Sequence, residues 1–344
     1  MKFREGPDRQ HEIKEISKLF PFWVILLCLA LGGCASLPAG PKQTDRTFPD
    51  FVVVVPKEGD TFSSLSAKYL KDPSWALLIA EYNEIESLIP GQPVIIPLKP
   101  DEKGGLTLRR YQTIPVLSYH NLSPGESNKM TVNQAMFEQQ MRLLHEKGYR
   151  AISMHQLFDF LDFKTSIPPK SVVITIDDGW PSAYEIAFPI LKKYGYPATL
   201  FIYTDIINRI PKALSWNQLR EMAAQGIDVQ CHTQSHRNLT LREKGESFKD
   251  YFENLEKELS GCKQTIKEEM NLEVKYLAYP YGDTTPLVIE LAKKIGYRGA
   301  LTTKRGSNPF FIHNYRVNRS VVYGDLTLNQ FERNLTIFQE QGLR

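Results

Sequence analysis

The sequence has little of several features that would mark particular classes of protein. Its formal net charge is only +3 and it contains no run rich in lysine and arginine, so nothing indicates a nucleic-acid-binding surface. It has four cysteines, Cys28, Cys34, Cys231 and Cys262, and no CxxC pair, which disfavours a zinc site built from cysteines. Internal repeats and low-complexity tracts are also absent. The 344 residues leave room for one large and one small domain.

The longest apolar run near the N-terminus, residues 19–31, is too short for a comfortable membrane span. It follows several basic residues and predicts a secretory signal segment over residues 1–33. The run ends in Leu31-Gly32-Gly33-Cys34, which resembles a bacterial lipobox. That resemblance implies cleavage before Cys34, lipidation of its sulfur, and a membrane anchor in the cell envelope, with the outer membrane facing the periplasm as the expected location. An uncleaved anchor or an ordinary signal peptide is the alternative.

Residues 34–50 are rich in proline, glycine and polar residues and are predicted to be a tether. Residues 51–98 then predict a small β-α-α-β unit. Its Gly59-Asp60-Thr61 turn, Asn83 and Pro90-Gly91-Gln92 resemble a LysM module. The resemblance implies binding of N-acetylglucosamine (GlcNAc) glycans such as peptidoglycan, whereas a purely structural spacer is the alternative.

After a charged linker over residues 99–110, strands alternate with helices through residues 111–344. Such alternation predicts parallel strands joined by crossover helices. About seven units fit a distorted (β/α)7-type barrel better than an open sheet. We therefore expect an α/β fold in which residues that follow the strands meet at one rim.

Two of the predicted strands end in residues that can carry chemistry. An apolar run, residues 172–176, ends in Asp177 and Asp178, and neighbouring residues on a strand point to opposite sides, so these acids can take different tasks. His232 and His236 follow another strand, and two imidazoles four residues apart plus one carboxylate form a facial metal-binding set with open positions. By itself, Asp-Asp-Gly could be a solvated turn.

Together these motifs resemble the polysaccharide deacetylase family and its NodB homology domain. The family's T-F-D-D-G motif corresponds to residues 175–179, its H-[ST]-x-x-H motif to residues 232–236, and its R-x-P-Y motif to residues 278–281. The resemblance implies that Asp178, His232 and His236 hold a metal, usually zinc, with Co²⁺ or Ni²⁺ as alternatives. It further implies that Asp177 is the general base, that the Tyr281 backbone N–H stabilises the oxyanion, and that Tyr279 and Pro280 contact the substrate.

The third motif departs from the family, because Ala278 stands where the family has arginine. The variant, with a strand ending in Tyr119-His120, is similar to the extracellular poly-N-acetylglucosamine deacetylases, which implies His120 as general acid. His313 is the second candidate acid, and Arg316 or Arg319 could replace the missing arginine. Trp216 could shape the acyl pocket or belong to the core.

The expected function is metal-dependent release of acetate from a GlcNAc-containing polysaccharide, such as exported poly-β-1,6-GlcNAc. A peptidoglycan deacetylase and a non-catalytic LysM lipoprotein that binds glycan are the alternatives. A two-carboxylate glycosidase fits poorly, since its acids must stand ~5–9 Å apart across the bond. Cys231 and Cys262 are expected to be buried thiols, although the exported location permits a disulfide between them.

Overall fold

The structure is a computed structural model that describes residues 45–98, 110–336 and 338–340. The predicted signal peptide, Cys34 and most of the tether lie outside these residues, as does nearly all of the predicted linker. Among the described residues, no helix combines the length and the apolar character needed to cross a bilayer.

Residues 45–98 form a small unit of three strands and two helices. The elements are β1 (Arg46–Thr47), β2 (Phe51–Val54), α1 (Phe62–Leu70), α2 (Ala76–Tyr82) and β3 (Val94–Pro97). β2 pairs antiparallel with both β1 and β3. Apolar side chains from the strands and helices form one buried cluster of their own, which includes Val52, Leu65 and Ile96.

Two local interactions explain how this unit is held. The Thr61 side chain caps α1 by accepting a hydrogen bond from the Ser64 N–H, at 3.1 Å. The Asn83 side chain exchanges two 2.7 Å hydrogen bonds with the Ile95 backbone, which fastens the end of α2 to β3. The order of elements contains the predicted β-α-α-β arrangement, whereas the resemblance to LysM stays a prediction.

The larger part of the chain alternates strands and helices. Its elements up to the first histidine motif are β4 (Arg110–Tyr119), β5 (Asn121–Ser123), β6 (Thr131–Asn133), α3 (Gln134–Glu146), β7 (Arg150–Ala151), α4 (Met154–Leu161), β8 (Ser171–Asp178), α5 (Phe188–Tyr194), β9 (Ala198–Ile202), α6 (Trp216–Ala224) and β10 (Ile227–Cys231). The later elements are α7 (Phe248–Met270), β11 (Tyr276–Ala278), α8 (Pro286–Ile295), β12 (Gly299–Leu301), β13 (Ser307–Pro309), β14 (Ser320–Val321), α9 (Leu328–Glu332) and β15 (Phe338–Glu340).

Six neighbouring strands run parallel, in the order β12-β11-β10-β9-β8-β4. The sheet curls into a half-barrel, and residues 317–321 bridge the space between its outer strands. Val317 makes an isolated parallel bridge to Leu301 of β12, and β14 then pairs in parallel with β4. The predicted α/β class and barrel-like curvature are therefore confirmed, while the seventh strand is split.

Burial on both faces explains why β8 is apolar along almost its whole length. Val173 belongs to an apolar cluster that includes residues of α4, whereas Ile174 belongs to the cluster that includes residues of α3, α5, α6, α7 and α8. Parallel sheets covered on both faces read as continuous hydrophobic runs. The strand thus runs through the buried interior and places its two terminal acids at the rim of the half-barrel.

Candidate metal centre and active site

The carboxyl ends of β4, β8, β10 and β11 bring the predicted site residues to one rim of the half-barrel. His120 follows β4, Asp177 and Asp178 end β8, His232 follows β10, and Tyr279 follows β11. All of them line a cavity of about 310 Å³, together with His236 and Tyr281. Because the strands are parallel, this is the face on which βα-barrel enzymes carry their active sites.

Asp177 is buried and forms an ion pair with Arg319, which is also fully buried. The Arg319 Nη1 donates to Asp177 Oδ1 at 2.7 Å, and its Nε donates to the Thr302 carbonyl at 3.0 Å. Burial alone would raise the pKa of Asp177, but the Arg319 charge, with smaller contributions from His232 and His120, holds that pKa below its ordinary value. Asp177 is therefore an anion whose other oxygen, Oδ2, is left for chemistry.

Arg319 replaces the arginine that the family has at the position of Ala278. It directly precedes β14, in the segment that bridges β12 and β4, and so reaches Asp177 from a different strand than the motif arginine would. Arg316, the other candidate, is exposed and has no part in this ion pair. The base therefore has a cationic partner although the family motif lacks one.

The side chains of Asp178, His232 and His236 converge so that their ligand atoms lie within 4.8 Å of one another. The Asp178 Oδ1 is 3.6 Å from His232 Nε2 and 3.4 Å from His236 Nε2. This Oδ1 is buried and has no hydrogen-bond partner among the described residues, whereas Oδ2 accepts from the Trp180 indole at 3.0 Å. An orphaned carboxylate oxygen facing two imidazole nitrogens fits a divalent metal.

The surroundings of His232 also fix the tautomer and the charge of its imidazole. Its Nδ1 lies 2.8 Å from the Ala278 carbonyl oxygen, which can only accept, so Nδ1 carries the hydrogen and Nε2 is left as the ligand atom. Burial lowers the pKa of His232 to about 4, against the opposing effect of Asp177 and Asp178. The neutral imidazole that a metal requires is therefore the main form near neutral pH.

Four site residues adopt the left-handed backbone conformation that side chains usually avoid. The φ angles are 78° at Asp178, 68° at Thr233, 67° at His236 and 62° at Tyr281. Gly282, with φ of 80°, has no room for a Cβ, which would collide with Thr303. Such strained positions cluster at functional sites because they aim side chains that regular structure cannot aim.

α7 fastens the loop that carries the two histidines. The buried Glu258 carboxylate accepts hydrogen bonds from the Gln234 N–H at 3.1 Å and from the Ser235 N–H at 2.9 Å. One turn further along the helix, Cys262 forms a disulfide with Cys231, the residue directly before His232. The expectation of two buried thiols is therefore wrong, because β10 and α7 pack closely enough to pair the sulfurs.

His120 lies beside the base rather than bonded to it. Its Nε2 is 3.9 Å from Asp177 Oδ2, too far for a hydrogen bond, and its Nδ1 is buried without a partner among the described residues. On the opposite side, the largely exposed Tyr281 ring stands edge-on to His236, with centroids 5.1 Å apart. Pro280 is buried beneath this loop.

Two of the predicted site residues lie elsewhere. Trp216 begins α6 and is buried in the large apolar cluster, as the core interpretation expects, and it does not line the cavity. His313 is exposed in a turn, where its Nδ1 accepts from the Tyr315 N–H at 3.1 Å, and it is likewise outside the cavity.

Three residues in or near the site were not predicted from the sequence: Glu258, Met130 and Tyr323. Met130 and Tyr323 line the cavity from loops near β6 and β14. Glu258 had a detectable signal, since it is a carboxylate on the apolar stripe of α7, between Leu255 and Cys262. Met130 and Tyr323 follow no comparable pattern, because only the folded arrangement brings their loops to the rim.

Comparison with known proteins agrees with this geometry. Residues 164–300 match the family model described as Polysaccharide deacetylase. This stretch therefore resembles a polysaccharide deacetylase domain. It contains both the Asp-Asp-Gly and the His-x-x-x-His residues of the site, as well as Tyr279 and Tyr281.

Two relatives and one solved structure extend the similarity. YxkH of Bacillus subtilis (strain 168), assigned to the polysaccharide deacetylases, is 29% identical over 60% of this chain and 71% of its own length. The poly-beta-1,6-N-acetyl-D-glucosamine N-deacetylase of Staphylococcus aureus (strain MRSA252) is 29% identical over 52% of this chain and 64% of its own length. The structure of IcaB from Ammonifex degensii matches at 27% identity with a TM-score of 0.59, covering 65% of this chain and 97% of that one. The comparisons support a deacetylase, a hydrolase, for this part of the chain.

Proposed function

We propose that this chain removes N-acetyl groups from a GlcNAc-containing polysaccharide, with poly-β-1,6-GlcNAc as the preferred substrate. The observation that carries the proposal is that the Asp178-His232-His236 set and Asp177, the carboxylate paired with Arg319, line one cavity. The relative from Staphylococcus aureus, named for its action on poly-β-1,6-GlcNAc, supports this choice of polymer.

Asp178, His232 and His236 would hold the metal, with zinc as the first choice and Co²⁺ or Ni²⁺ as alternatives. When bound, such an ion lowers the pKa of a coordinated water toward ~7 and polarises the carbonyl of the acetamide. The chain's own residues supply the rest of the reaction, in which a C–O bond to water forms and the amide C–N bond breaks.

Asp177 takes the proton of the attacking water. Its Oδ1 is held by Arg319, while Oδ2 accepts only a long, 3.4 Å contact from the Ser118 hydroxyl and faces His120 and His232. His120, which lines the same cavity, donates a proton to the departing sugar amine. The Tyr281 backbone N–H stabilises the oxyanion, and Tyr279 and Pro280 shape the substrate side of the cavity. The products are acetate and a glucosamine unit.

The N-terminal part of the chain suggests where this reaction takes place. Lipidation at Cys34 would anchor the chain in the cell envelope, at the outer membrane facing the periplasm, and the LysM-like unit would bind peptidoglycan. Peptidoglycan is for the same reason the second candidate substrate.

Acetate release on two substrates side by side tests the proposal. We expect the purified chain, supplied with zinc or cobalt, to release acetate from a β-1,6-GlcNAc oligomer, and chelator to abolish that release. Asp177→Asn, which nearly preserves shape while removing the base, should lower turnover by at least ~100-fold. Release from purified peptidoglycan alone would move the assignment to a wall-modifying enzyme. Metal binding without release from either substrate would favour a non-catalytic glycan-binding protein.

A further inference from the structure

A second cavity, of about 220 Å³, opens directly beside the candidate active site. The two cavities share Thr303, Val321 and Tyr323 as a common wall. A polysaccharide that places one sugar over Asp177 must send its neighbouring sugars along the surface, and this second cavity is adjacent to that position.

The second cavity contains a buried polar group that lacks a partner. Asn334 is 7% exposed and lines the cavity, and its Oδ1 has no hydrogen bond within the described residues. The residue is fixed in place, because its N–H donates to the carbonyl of Phe331, which is fully buried in the core. Since burying an acceptor unpaired costs free energy, a rotation of the Asn334 side chain that offers this oxygen to a hydroxyl or amide N–H of a ligand in the cavity would be favourable.

Two arginines give the cavity a positive charge. Arg305 and Arg333 line it, and neither forms an ion pair with a carboxylate of the described residues. The remaining lining residues include Gln330 and Tyr323 but no acidic side chain. A neutral sugar can enter such a cavity, whereas a protonated glucosamine would face two like charges.

We infer that this second cavity is a subsite for the sugar next to the one being deacetylated, and that it accepts an N-acetylated sugar and disfavours a free-amine sugar. The inference rests on the proposed function. The Asn334 Oδ1 accepts a hydrogen bond from the neighbouring sugar, and Arg305 and Arg333 repel the cation that an earlier turnover leaves behind. The enzyme therefore acts more slowly next to a sugar that is already deacetylated. Its product keeps acetylated sugars between the deacetylated ones.

Defined oligomers test the charge part of the inference. The full-length chain, purified in detergent with zinc, is given a fully acetylated β-1,6-GlcNAc tetramer and tetramers that carry one free amine. We expect kcat/KM to be lower when the free amine adjoins the reacting sugar. Arg305→Gln and Arg333→Gln should each reduce this discrimination by about threefold, the effect of one unit charge at ~6 Å in water. Raising the salt concentration should weaken it as well.

Arg316→Gln is the matched control, because Arg316 is equally exposed but lines neither cavity. It should keep the wild-type discrimination. Equal discrimination in wild type and both cavity variants would overturn the subsite. An absence of acetate release from every oligomer would instead overturn the proposed function, so the two failures are distinguishable.

Asn334→Leu tests whether Asn334 forms a hydrogen bond with the neighbouring sugar. The measured quantity is KM for the tetramer, which would not change on its own if Asn334 only supported the fold. Leucine has a similar shape and removes the unpaired acceptor, so thermal stability should be unchanged or higher. We expect KM to rise for the tetramer while activity on a single GlcNAc glycoside stays the same. A variant that loses stability and acts equally on both substrates would show that Asn334 only supports the fold.

Discussion

The contact between Asp177 and Arg319 determines the protonation state of the predicted catalytic base. Arg319 holds the pKa of Asp177 below its ordinary value despite complete burial. Without this charge the carboxylate would sit unpaired in a dry environment, where the protonated form is favoured. The pair therefore both positions the base and keeps it ionised.

Arg319→Gln should raise the pKa of Asp177, because it removes the charge that lowers it. The base would then be protonated over a wider acidic range, so the acid limb of the kcat/KM profile should move to higher pH. Activity at neutral pH should fall by on the order of 10- to 100-fold. Arg316→Gln, which leaves the pair intact, should keep the wild-type profile. An unchanged acid limb in a folded Arg319→Gln protein would refute this role.

Asp228 is a second residue whose pKa is shifted by the fold, and it lies at the opposite end of β10 from His232. Burial raises the pKa of Asp228 above its ordinary value, even though Oδ1 accepts a 2.8 Å hydrogen bond from the Gln230 side chain. Its folded pKa lies above its unfolded one, so its contribution to stability is complete below the unfolded pKa and is lost as pH rises through the folded pKa.

Asp228→Asn should therefore gain stability relative to wild type on going from pH 3.5 to pH 7, since asparagine keeps the acceptor and cannot ionise. Thermal melts of both proteins at the two pH values measure the difference. A stability difference between the two proteins that does not change with pH would contradict the raised pKa.

Much of the site at this scale could be predicted from the sequence, and one residue could be only partly predicted. Asp177 and Asp178 are adjacent, and His232 and His236 are four residues apart, so each pair is local. The two pairs were expected to meet because both follow the carboxyl ends of parallel strands. Arg319 was one of two candidates, because its partner lies 142 residues away and depends on how the split strand fits beside β4. No spacing in the sequence encodes that fit.

At the scale of elements, α7 acts as the support of the histidine loop. Glu258 and Cys262 lie one turn apart on the same face of the helix and hold the residues on either side of His232. Gly261 lies between them, where a side chain would collide with Gln234. The helix therefore determines where the two imidazoles stand, although it contributes neither of them.

Glu258→Gln should weaken metal binding by about 10- to 100-fold, the usual effect of disturbing the groups that orient ligands. The amide oxygen of glutamine can still accept from the Gln234 and Ser235 N–H groups, but its NH2 group cannot accept from the Ser235 hydroxyl as Glu258 Oε1 does. Competition with a chromophoric chelator measures the affinity without relying on activity. Glu253→Gln, on the exposed side of the same helix, should bind metal as wild type does.

Removal of the Cys231–Cys262 disulfide should cost about 3–4 kcal/mol, the chain-entropy value for residues 31 apart in sequence. For a domain of this size the melting temperature should fall by roughly 10 °C. The double variant Cys231→Ala/Cys262→Ala, compared with wild type in oxidising and reducing buffer, provides the test. Reduced wild type should resemble the double variant, and equal melting in all three cases would show that the bond adds no stability.

The bounds of α6 and α7 have causes in the local sequence. Ser215 and Ser247 cap the first turns of these helices, and their apolar residues follow helical spacing. The disulfide was mispredicted for the opposite reason. The strand and helix patterns of Cys231 and Cys262 were each recognised, but the distance between β10 and α7 is a property of packing.

At the scale of the whole molecule, the small N-terminal unit and the deacetylase domain have separate apolar cores. The cluster around Val52, Leu65 and Ile96 shares no residue with the two clusters of the half-barrel. Separate cores are the usual mark of units that can be changed independently.

An in-frame deletion of residues 51–98 should therefore leave acetate release from a soluble oligomer within about twofold of the full chain, since no residue of the site lies in that unit. The same deletion should abolish co-sedimentation with insoluble peptidoglycan, if the LysM resemblance is sound. Retained co-sedimentation would assign wall binding to another part of the chain, and lost oligomer activity would show that the unit supports catalysis.

The contact between Arg319 and Asp177 can form only late in the synthesis of the chain. A ribosome that adds about 5–20 residues per second delivers Arg319 roughly 7–28 s after Asp177, because the two residues are 142 positions apart. Throughout that interval β8 would have to bury a carboxylate that has no cation, and β4 would lack its pairing with β14. Native packing of the half-barrel is thus a late event in the life of the nascent chain. A chain that folds late stays unfolded long enough for the passage through a membrane that we propose for it.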